Sequence, residues 1–197
     1  MKNLFILGTL VFLLFSSCTK KVETKGLIEH PPVNEFVKYT ISKGLQSSDK
    51  NPYTAVEYEH LKFVARFDSS AIYQTIIPTN QKDVNKLFGF SDNNATHHEY
   101  SARFGWRWSN NALRIFAYVY NKGIVSIKEL GTAGIGVDVH CSIKILPAEY
   151  IFTLNDKVET MARTSITPRA KGYKLYPYFG GDEMAPHTIS IWIKEVQ

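Results

Sequence analysis

Two predicted strands carry arginines on their polar faces. Arg103 and Arg107 alternate with apolar residues in segment 99–108, and Arg114 lies in segment 113–120. Arginine presents a planar fork of N–H donors that can bind a carboxylate or a sulfate with two parallel hydrogen bonds. The polar faces of these strands and of segment 137–145 also hold Phe116, Tyr118, Tyr120, His140 and Lys144. If the three strands are neighbours in one sheet, these side chains converge on a single surface.

Aromatic rings beside arginine side chains suit a ligand that combines sugar rings with acidic groups. The rings offer flat apolar platforms for sugar rings, and the arginines would bind acidic groups on those sugars. The predicted ligand-binding residues are therefore Arg103, Arg107, Arg114, Tyr118, Tyr120 and His140. The expected partner is an acidic polysaccharide. The alternative interpretation is that the rings lie under a covering loop, while the arginines are solvated or paired with Glu99 and Asp138.

The same residue types permit an enzymatic alternative. A polysaccharide lyase acting on uronate-containing glycans needs Arg or His to neutralise the sugar carboxylate, and Tyr or His to remove the adjacent proton. Arg103, Arg107, His140 and Tyr118 are the candidates for these roles. A jelly-roll glycosidase is disfavoured, because no predicted strand carries two suitably spaced carboxylates. The sequence favours binding without catalysis and assigns no catalytic residue.

Two clusters contain possible metal ligands: His97 and His98 with Asp92 and Glu99, and Asp182 and Glu183 with His187. Adjacent histidines in a strand point to opposite faces, which argues against a shared ion at the first cluster. The second cluster resembles a calcium-binding loop but equally fits a solvated turn before the last strand. The sequence therefore predicts neither a metal nor another cofactor.

Short β-strands must position these side chains. The turn signals Ser109-Asn110-Asn111 and Asn121-Lys122-Gly123 separate three successive strands and predict antiparallel hairpins. Strands are predicted over segments 36–43, 61–68, 71–77, 99–108, 113–120, 124–130, 137–145, 150–154, 157–163, 173–179 and 187–196. This count of about ten or eleven strands predicts an all-β fold, a jelly-roll-like antiparallel β-sandwich.

Segment 80–94 differs from the predicted strands, because its apolar and polar residues neither alternate nor recur at helical spacing. We predict a long ordered loop there, with a helical turn near residues 82–87. Long loops in compact domains tend to be functional, so this segment is the first place to look for a site. Cys141 alternates with Val139 and Ile143, which predicts a buried and unreactive thiol.

The amino terminus is typical of an exported protein. Lys2 precedes an apolar run from Leu4 to Phe15, and two serines lead to Cys18. The run is too short to cross a bilayer, which needs about 20 residues. The pattern resembles the lipobox signal of bacterial lipoproteins. That resemblance implies a signal peptide over 1–17, an acylated Cys18 that holds the protein to membrane lipid, a tether over 18–34 and a β-sandwich domain over 35–197.

Residues after Cys18 also bear on location. Thr19 stands where lipoproteins of the inner membrane often have Asp, which favours the outer membrane. Lys20 and Lys21 replace the acidic run that some bacteria use for surface export, which favours the periplasmic face. The formal charge of +5 for the whole chain is a mild excess without a basic motif, so no nucleic-acid partner is expected.

Several motifs resemble a family of uncharacterised bacterial lipoproteins across residues 36–196. They are Asn-Gln at 80–81, Asn-Lys-Leu-Phe-Gly-Phe-Ser-Asp at 85–92, His-His at 97–98, Ser-Ala-Arg-Phe-Gly-Trp-Arg-Trp at 101–108, Ala-Tyr-Val-Tyr at 117–120 and Gly-Tyr-Lys-Leu-Tyr-Pro-Tyr-Phe-Gly-Gly-Asp-Glu at 172–183. The resemblance implies an envelope role and carries over no catalytic residue. A purely structural role, with Tyr176, Tyr178 and Phe179 contacting another envelope protein, is a further possibility.

At the level of fold, the chain also resembles the concanavalin-like jelly rolls of lectins and of some polysaccharide lyases. Alginate lyases of this kind carry an Arg-x-Glu-x-Arg strand and a Gln-x-His strand. Segments 101–105 and 138–140 match those motifs only at Arg103 and His140. The fold-level resemblance therefore implies a sandwich with a glycan-binding surface and leaves the lyase as the alternative.

Overall fold

Twelve β-strands account for most of residues 34–196, the part of the chain that the computed structural model describes. They are β1 (Val37–Ile41), β2 (Ala55–Tyr58), β3 (His60–Phe67), β4 (Asn85–Ser91), β5 (Tyr100–Ser109), β6 (Ala112–Asn121), β7 (Ile124–Ala133), β8 (Asp138–Ile145), β9 (Glu149–Leu154), β10 (Lys157–Ala162), β11 (Ala170–Leu175) and β12 (Ile189–Val196). Short 3₁₀ turns occur at Ser69–Ala71 and Pro78–Lys82. The predicted signal peptide, Cys18 and nearly all of the predicted tether lie outside the described residues.

The strands form two six-stranded sheets that pack face to face. Sheet 1 has the order β1-β12-β3-β8-β9-β10, and sheet 2 has the order β2-β11-β4-β5-β6-β7. All of the paired strands run antiparallel. The predicted antiparallel β-sandwich is confirmed, with twelve strands in place of ten or eleven. Across the described residues, no helix is long and apolar enough to span a membrane.

Two-residue turns connect β5 to β6 and β6 to β7. Asn110 and Asn111 have φ values of 52° and 53°, while Lys122 and Gly123 have φ values of 50° and 77°. Two successive residues with positive φ define the type I′ turn, whose twist suits a β-hairpin and which Asn and Gly adopt readily. Both predicted turns are confirmed, and they fix the register of β5, which carries Arg103 and Arg107, of β6, which carries Arg114, and of β7.

Aromatic side chains fill the space between the sheets. Phe104 on β5 meets Phe63 on β3 and Phe152 on β9, with ring centroids 5.4 and 5.2 Å apart in edge-to-face geometry. Such pairs add to the burial of their apolar area. Cys141 is buried in the same core, as predicted, and burial raises the pKa of its thiol. A thiol with a raised pKa is protonated at neutral pH and is therefore a poor nucleophile.

The prediction of a strand over segment 71–77 is wrong. This segment follows a 3₁₀ turn and runs irregularly, because side chains take its backbone donors. The amide of Thr75 donates to Gln81 Oε1 at 2.8 Å, and the amides of Ile76 and Ile77 donate to the Glu183 carboxylate at 2.9 and 2.7 Å. Bonds of this kind satisfy the backbone without a neighbouring strand.

The prediction of a loop over segment 80–94 is also wrong for the middle of the segment. Residues 85–91 form β4, an interior strand of sheet 2 whose neighbours are β11 and β5. Six of its seven residues are buried, so both of its faces are covered and the sequence does not alternate. A continuous apolar run is typical of a strand that is buried on both faces. The predicted helical turn lies earlier, at Pro78–Lys82.

Candidate functional site

The outer face of sheet 2 carries a cleft of about 670 Å³. Three neighbouring strands contribute to it: Lys86 comes from β4, Arg103 from β5, and Tyr118 from β6. The segments before β5 and β2, and the run that begins in β11 and ends at Gly181, complete the lining. Side chains distant in the chain are thus brought together by strand pairing, and the walls come from the connections between strands.

Arg103 is the most buried charged side chain of the cleft, at 6% exposure. It is the cross-strand partner of Tyr118, and its guanidinium carbon lies 5.2 Å from the centre of the Tyr118 ring. Its Nε atom has no hydrogen-bond partner within the described residues. Burial lowers the pKa of Arg103 to about 10, so the side chain remains charged at neutral pH. A buried charge without an anion is unfavourable, which makes this group a strong anion receptor.

Gly89 allows β4 to pass close beside Arg103. The two residues are register partners, and a Cβ at position 89 would lie 2.4 Å from the Cβ of Arg103. The register of β4 also shifts between Lys86 and Phe88. A β-bulge changes the alternation of faces, which explains how Lys86 reaches the cleft while Phe88, two residues later, packs in the core.

Lys86 is the second cation of the cleft. Its Nζ atom donates to the Gly180 carbonyl at 2.7 Å and lies 5.2 Å from the centre of the Tyr118 ring. Burial, reinforced by the positive charge of Arg103, lowers the pKa of Lys86 to about 8. Lys86 and Arg103 therefore contact the same tyrosine ring.

The electrostatic character of the cleft is uniformly positive. No Asp or Glu is among the described residues that line it. Lys174, a third cation of the lining, is paired with Glu195 through a 2.6 Å contact between Nζ and Oε1. Neither Lys86 nor Arg103 has a carboxylate within ion-pair distance among residues 34–196. The cleft can therefore accept an anion without displacing a protein carboxylate from these two cations.

His97 and Tyr173 form a hydrogen-bonded pair at the cleft. The Tyr173 hydroxyl lies 2.8 Å from His97 Nδ1 and accepts a 3.1 Å hydrogen bond from the backbone N–H of His97. Because the amide occupies one lone pair of the hydroxyl, the phenolic hydrogen is available for Nδ1. Burial, Arg103 and His98 lower the pKa of His97 to about 4. The imidazole is therefore neutral at physiological pH and can accept a proton.

Further rings continue the aromatic lining. The His98 ring is 5.7 Å from that of Tyr120, and Tyr120 is 5.7 Å from Tyr118. Tyr53 lies 5.6 Å from Tyr173 and is 75% exposed. Tyr118 is buried, whereas Tyr53, His98 and Tyr120 keep exposed ring area beside Arg103 and the partly buried Lys86. A sugar ring can stack on these exposed rings while its acidic group reaches the arginine.

The structure brings together three of the six predicted ligand-binding residues. Arg103, Tyr118 and Tyr120 line the cleft. Arg107 and Arg114 are cross-strand partners on β5 and β6, further along the same strands. Neither of these two arginines lines the cleft.

Arg107 and Arg114 are held by the protein itself. The guanidinium of Arg107 donates to the Lys82 carbonyl at 2.6 Å and lies 4.7 Å from the centre of the Phe116 ring. Arg114 forms an ion pair with Glu129 at 2.7 Å. The alternative interpretation, in which the arginines are paired and the rings are covered, therefore fits this part of the face. The acidic partner of Arg114 is Glu129, however, and not Glu99 or Asp138.

His140 requires a larger correction to the expected geometry. It lies on β8, which pairs with β3 and β9 in sheet 1, and so it belongs to the opposite sheet from Arg103. Its neighbour across the strand pair is Val64. The predicted convergence of three strands fails because the connection between β7 and β8 crosses from one sheet to the other, whereas the connections β5–β6 and β6–β7 are hairpins within sheet 2.

Sequence reasoning missed Lys86, His97 and Tyr173 as parts of this cleft. Lys86 was assigned to a loop because β4 lacks alternation. The sequence predicts His97 as a possible metal ligand and as part of a motif, and Tyr173 as the first residue of a strand, but neither as a ligand-binding residue. A signal was present in the motif run 172–183, where Tyr173, Tyr176 and Tyr178 recur at short spacing and all three line the cleft.

The two clusters of possible metal ligands serve other purposes. Asp92 is fully buried and accepts from Arg163 Nε at 2.8 Å and from Tyr150 at 2.6 Å. Glu183 accepts the amides of segment 71–77 described above, and His187 Nε2 lies 2.8 Å from the Ser70 carbonyl oxygen. Within the described part of the chain, no group of three or more His, Cys, Asp or Glu residues is arranged to hold a metal ion.

Comparison with known proteins identifies the fold alone. No protein-family model and no curated protein matches the chain. Among solved structures, the alginate lyase AlyC3 is similar with a TM-score of 0.54 and 9% identity, over 82% of this chain and 74% of that one. The carbohydrate-binding module CBM66 from Bacillus subtilis gives a TM-score of 0.41 and 8% identity, over 81% and 93% of the two chains. The first likeness supports the fold-level resemblance to polysaccharide lyases.

Proposed function

We propose that this protein is a cell-envelope module that binds acidic, uronate-containing polysaccharide in the cleft on sheet 2. The observation that carries the proposal is that the buried Arg103 and the partly buried Lys86 face the cleft without a carboxylate partner. The fork of Arg103 binds the sugar carboxylate with two hydrogen bonds, and Lys86 adds a second positive charge. Tyr120 contacts the sugar ring, and the buried Tyr118 holds the two cations against its own ring.

The proposal includes the cellular location of the protein. Cys18 is acylated and holds the protein to the outer membrane, on its periplasmic face, and the residues before 35 act as a polar tether. The lipobox pattern, Thr19 and the two lysines after it support this part of the proposal. In this setting the cleft meets envelope polysaccharide rather than nucleic acid.

The test is calorimetric titration of the purified protein with a uronate polymer and with a neutral glucan, at low and high salt. We expect binding of the uronate polymer only, with an affinity that falls as salt screens the charges. Arg103→Ala should lower that affinity by more than about tenfold, because it removes a largely desolvated charged hydrogen-bonding partner.

The matched control is Arg66→Ala, which removes an exposed arginine from sheet 1 that is paired with Asp138. It should bind like the parent. Arg114→Ala and His140→Ala should also bind like the parent, because neither residue lines the cleft. Equal affinity for both polymers, or equal losses from Arg103→Ala and Arg66→Ala, would rule the proposal out.

A second candidate function, lyase activity, is favoured by the pair formed by His97 and Tyr173. In β-elimination, the Tyr173 oxygen takes the proton at C5 of the uronate while its own proton moves to neutral His97 Nδ1. The C4–O bond breaks as the C4=C5 double bond forms, and the proton returns through Tyr173 to the leaving oxygen. Arg103 stabilises the charge that develops on the carboxylate. The fold is shared with an alginate lyase, so this architecture is able to carry such a reaction.

The two candidates are separated by their products. A lyase releases unsaturated sugars that absorb in the ultraviolet, and Tyr173→Phe should abolish that release while binding is retained. Absence of ultraviolet-absorbing products from several uronate polymers, together with tight binding, assigns the protein to binding without catalysis.

A further inference from the structure

The cleft does not end at Tyr53 and Tyr173. A second cavity of about 400 Å³ lies beside it and is also lined by these two tyrosines. Its other walls come from β2, from β11 and from the segment 94–96 before β5. The Tyr53–Tyr173 pair is therefore a shared ridge between two cavities on the same face of sheet 2.

The order of the strands gives the length of the combined groove. The lining runs from Tyr118 and Tyr120 on β6, across β5, β4 and β11, to Ala55 and Val56 on β2. Four strand spacings of about 4.8 Å make a span of about 19 Å. That span is several times the width of one sugar ring, so a single sugar bound at Arg103 would leave the second cavity empty.

The ridge and the second cavity suit a further part of the same kind of ligand. Tyr53 packs against Tyr173 and is 75% exposed, so ring area beyond that contact is open for stacking. Lys171 is the single charged residue among those that line the second cavity, and it is a cation. Aromatic and cationic character therefore continues beyond the ridge.

We infer that the ligand is an extended anionic polysaccharide chain that lies across the strands of sheet 2, with one unit at Arg103 and Lys86 and further units stacked on Tyr53 and held near Lys171. This inference rests on the proposed function. It specifies that the ligand is the interior of a polysaccharide chain and not a single sugar or the end of a chain. Tyr53 is assigned to the recognition of chain length, and Arg103 to the recognition of charge.

The test is calorimetric titration of the purified protein with uronate disaccharide, tetrasaccharide and hexasaccharide. Affinity should rise several-fold from the disaccharide to the hexasaccharide. Tyr53→Ala should remove most of this gain, because it should lower the affinity for the hexasaccharide by a larger factor than the affinity for the disaccharide. Tyr53→Phe keeps the ring face and should behave like the parent, and both variants alter an exposed side chain, so the fold is preserved.

Lys171→Gln provides a second readout, since it should reduce the salt dependence of hexasaccharide binding and leave that of the disaccharide unchanged. Equal affinity for all three lengths, or identical length dependence in the parent and in Tyr53→Ala, overturns the inference while Arg103-dependent binding still supports the proposed function. Absence of binding at every length overturns both.

Discussion

At the scale of single residues, Lys86 and Arg103 are cations that the protein holds largely out of water without pairing them. Each contacts the ring of Tyr118, and a backbone carbonyl rather than a carboxylate receives the Lys86 hydrogen bond. Such an arrangement is less stable than a paired one, because desolvation disfavours the charged form of each group. The lowered pKa of Lys86 reflects this penalty, and an anionic ligand would relieve it.

Binding should therefore depend on the protonation of Lys86. Its pKa of about 8 means that the free protein carries this charge below pH 8 and loses it as the pH rises above that value. Uronate carboxylates are ionised throughout this range, and His97, with a pKa of about 4, stays neutral. We expect the affinity for a uronate polymer to be highest near neutral pH and to fall several-fold as the pH approaches about 9, which is still below the pKa of about 10 of Arg103.

Calorimetric titrations across this pH range provide the measurement. Lys86→Arg is the matched control, because arginine keeps its charge and should flatten the pH dependence. The other groups that face Lys86 are Arg103, Asp83 and Tyr118. The same decline in the parent and in Lys86→Arg would show that a different group is responsible.

At the scale of elements, a buried ion pair attaches the segment after β10 to the end of β4. Asp92 follows β4 directly and accepts from Arg163, Tyr150, Thr167 and the amide of Lys171. Arg163 also donates to the carbonyls of Thr167 and Arg169. The carboxylate thus organises the connection between β10 and β11, the strand that carries Tyr173 into the cleft.

Asp92→Asn should destabilise the protein by about 3–5 kcal/mol, because it leaves the buried Arg163 without its counter-charge. Hydrogen bonds and the charge of Arg163 lower the pKa of Asp92 despite its burial. A carboxyl whose folded-state pKa lies below its unfolded value stabilises the protein above that unfolded value. This contribution is lost as the pH falls through the folded-state pKa, so Asp92→Asn should also weaken the acid dependence of stability.

Urea denaturation of the parent and the variant, at neutral and acidic pH, measures both effects. Asp138→Asn is the matched control, since it removes an aspartate that pairs with the exposed Arg66, and it should leave the urea midpoint nearly unchanged. Similar shifts for the two variants would contradict a special role for the buried pair.

At the scale of the whole molecule, the two outer faces differ in character. The outer face of sheet 2 carries the cleft and its aromatic lining, whereas that of sheet 1 presents solvated groups such as His140 and the Arg66–Asp138 pair. A glycan-binding module needs only one such face.

The anchor itself remains a prediction, because Cys18 lies outside the described residues. Cys18→Ser should abolish acylation, and the protein should then be unprocessed or released from the membrane. Mass spectrometry of the mature amino terminus and membrane fractionation measure the two outcomes, with Cys141→Ser as the control that retains the anchor. A mature protein that begins beyond Cys18 and carries no acyl chain would exclude the lipoprotein proposal.

The sequence by itself determined the features that depend on local pattern. Alternation of apolar and polar residues identified β3, β5, β6 and β8, and pairs of turn residues such as Asn110-Asn111 identified the hairpins, because side-chain direction and turn geometry are fixed within a few residues. The burial of Cys141 followed from the same alternation. These features sufficed to predict an antiparallel sandwich and to place Arg103, Tyr118 and Tyr120 on one face of a hairpin.

Only the tertiary structure decided which strands are neighbours and which side chains are covered on both sides. β4 shows no alternation because sheet 1 covers one of its faces and much of the other is also covered, so a strand that contributes to the site was predicted as a loop. His140 and Arg103 lie on strands with similar alternation, yet β8 belongs to the opposite sheet. The sheet to which a strand belongs depends on pairing between segments that are far apart in the chain. β1 and β12, at the two ends of the domain, are paired in this way. The periodicity of a single strand depends only on its own residues, so it cannot indicate the neighbouring strand.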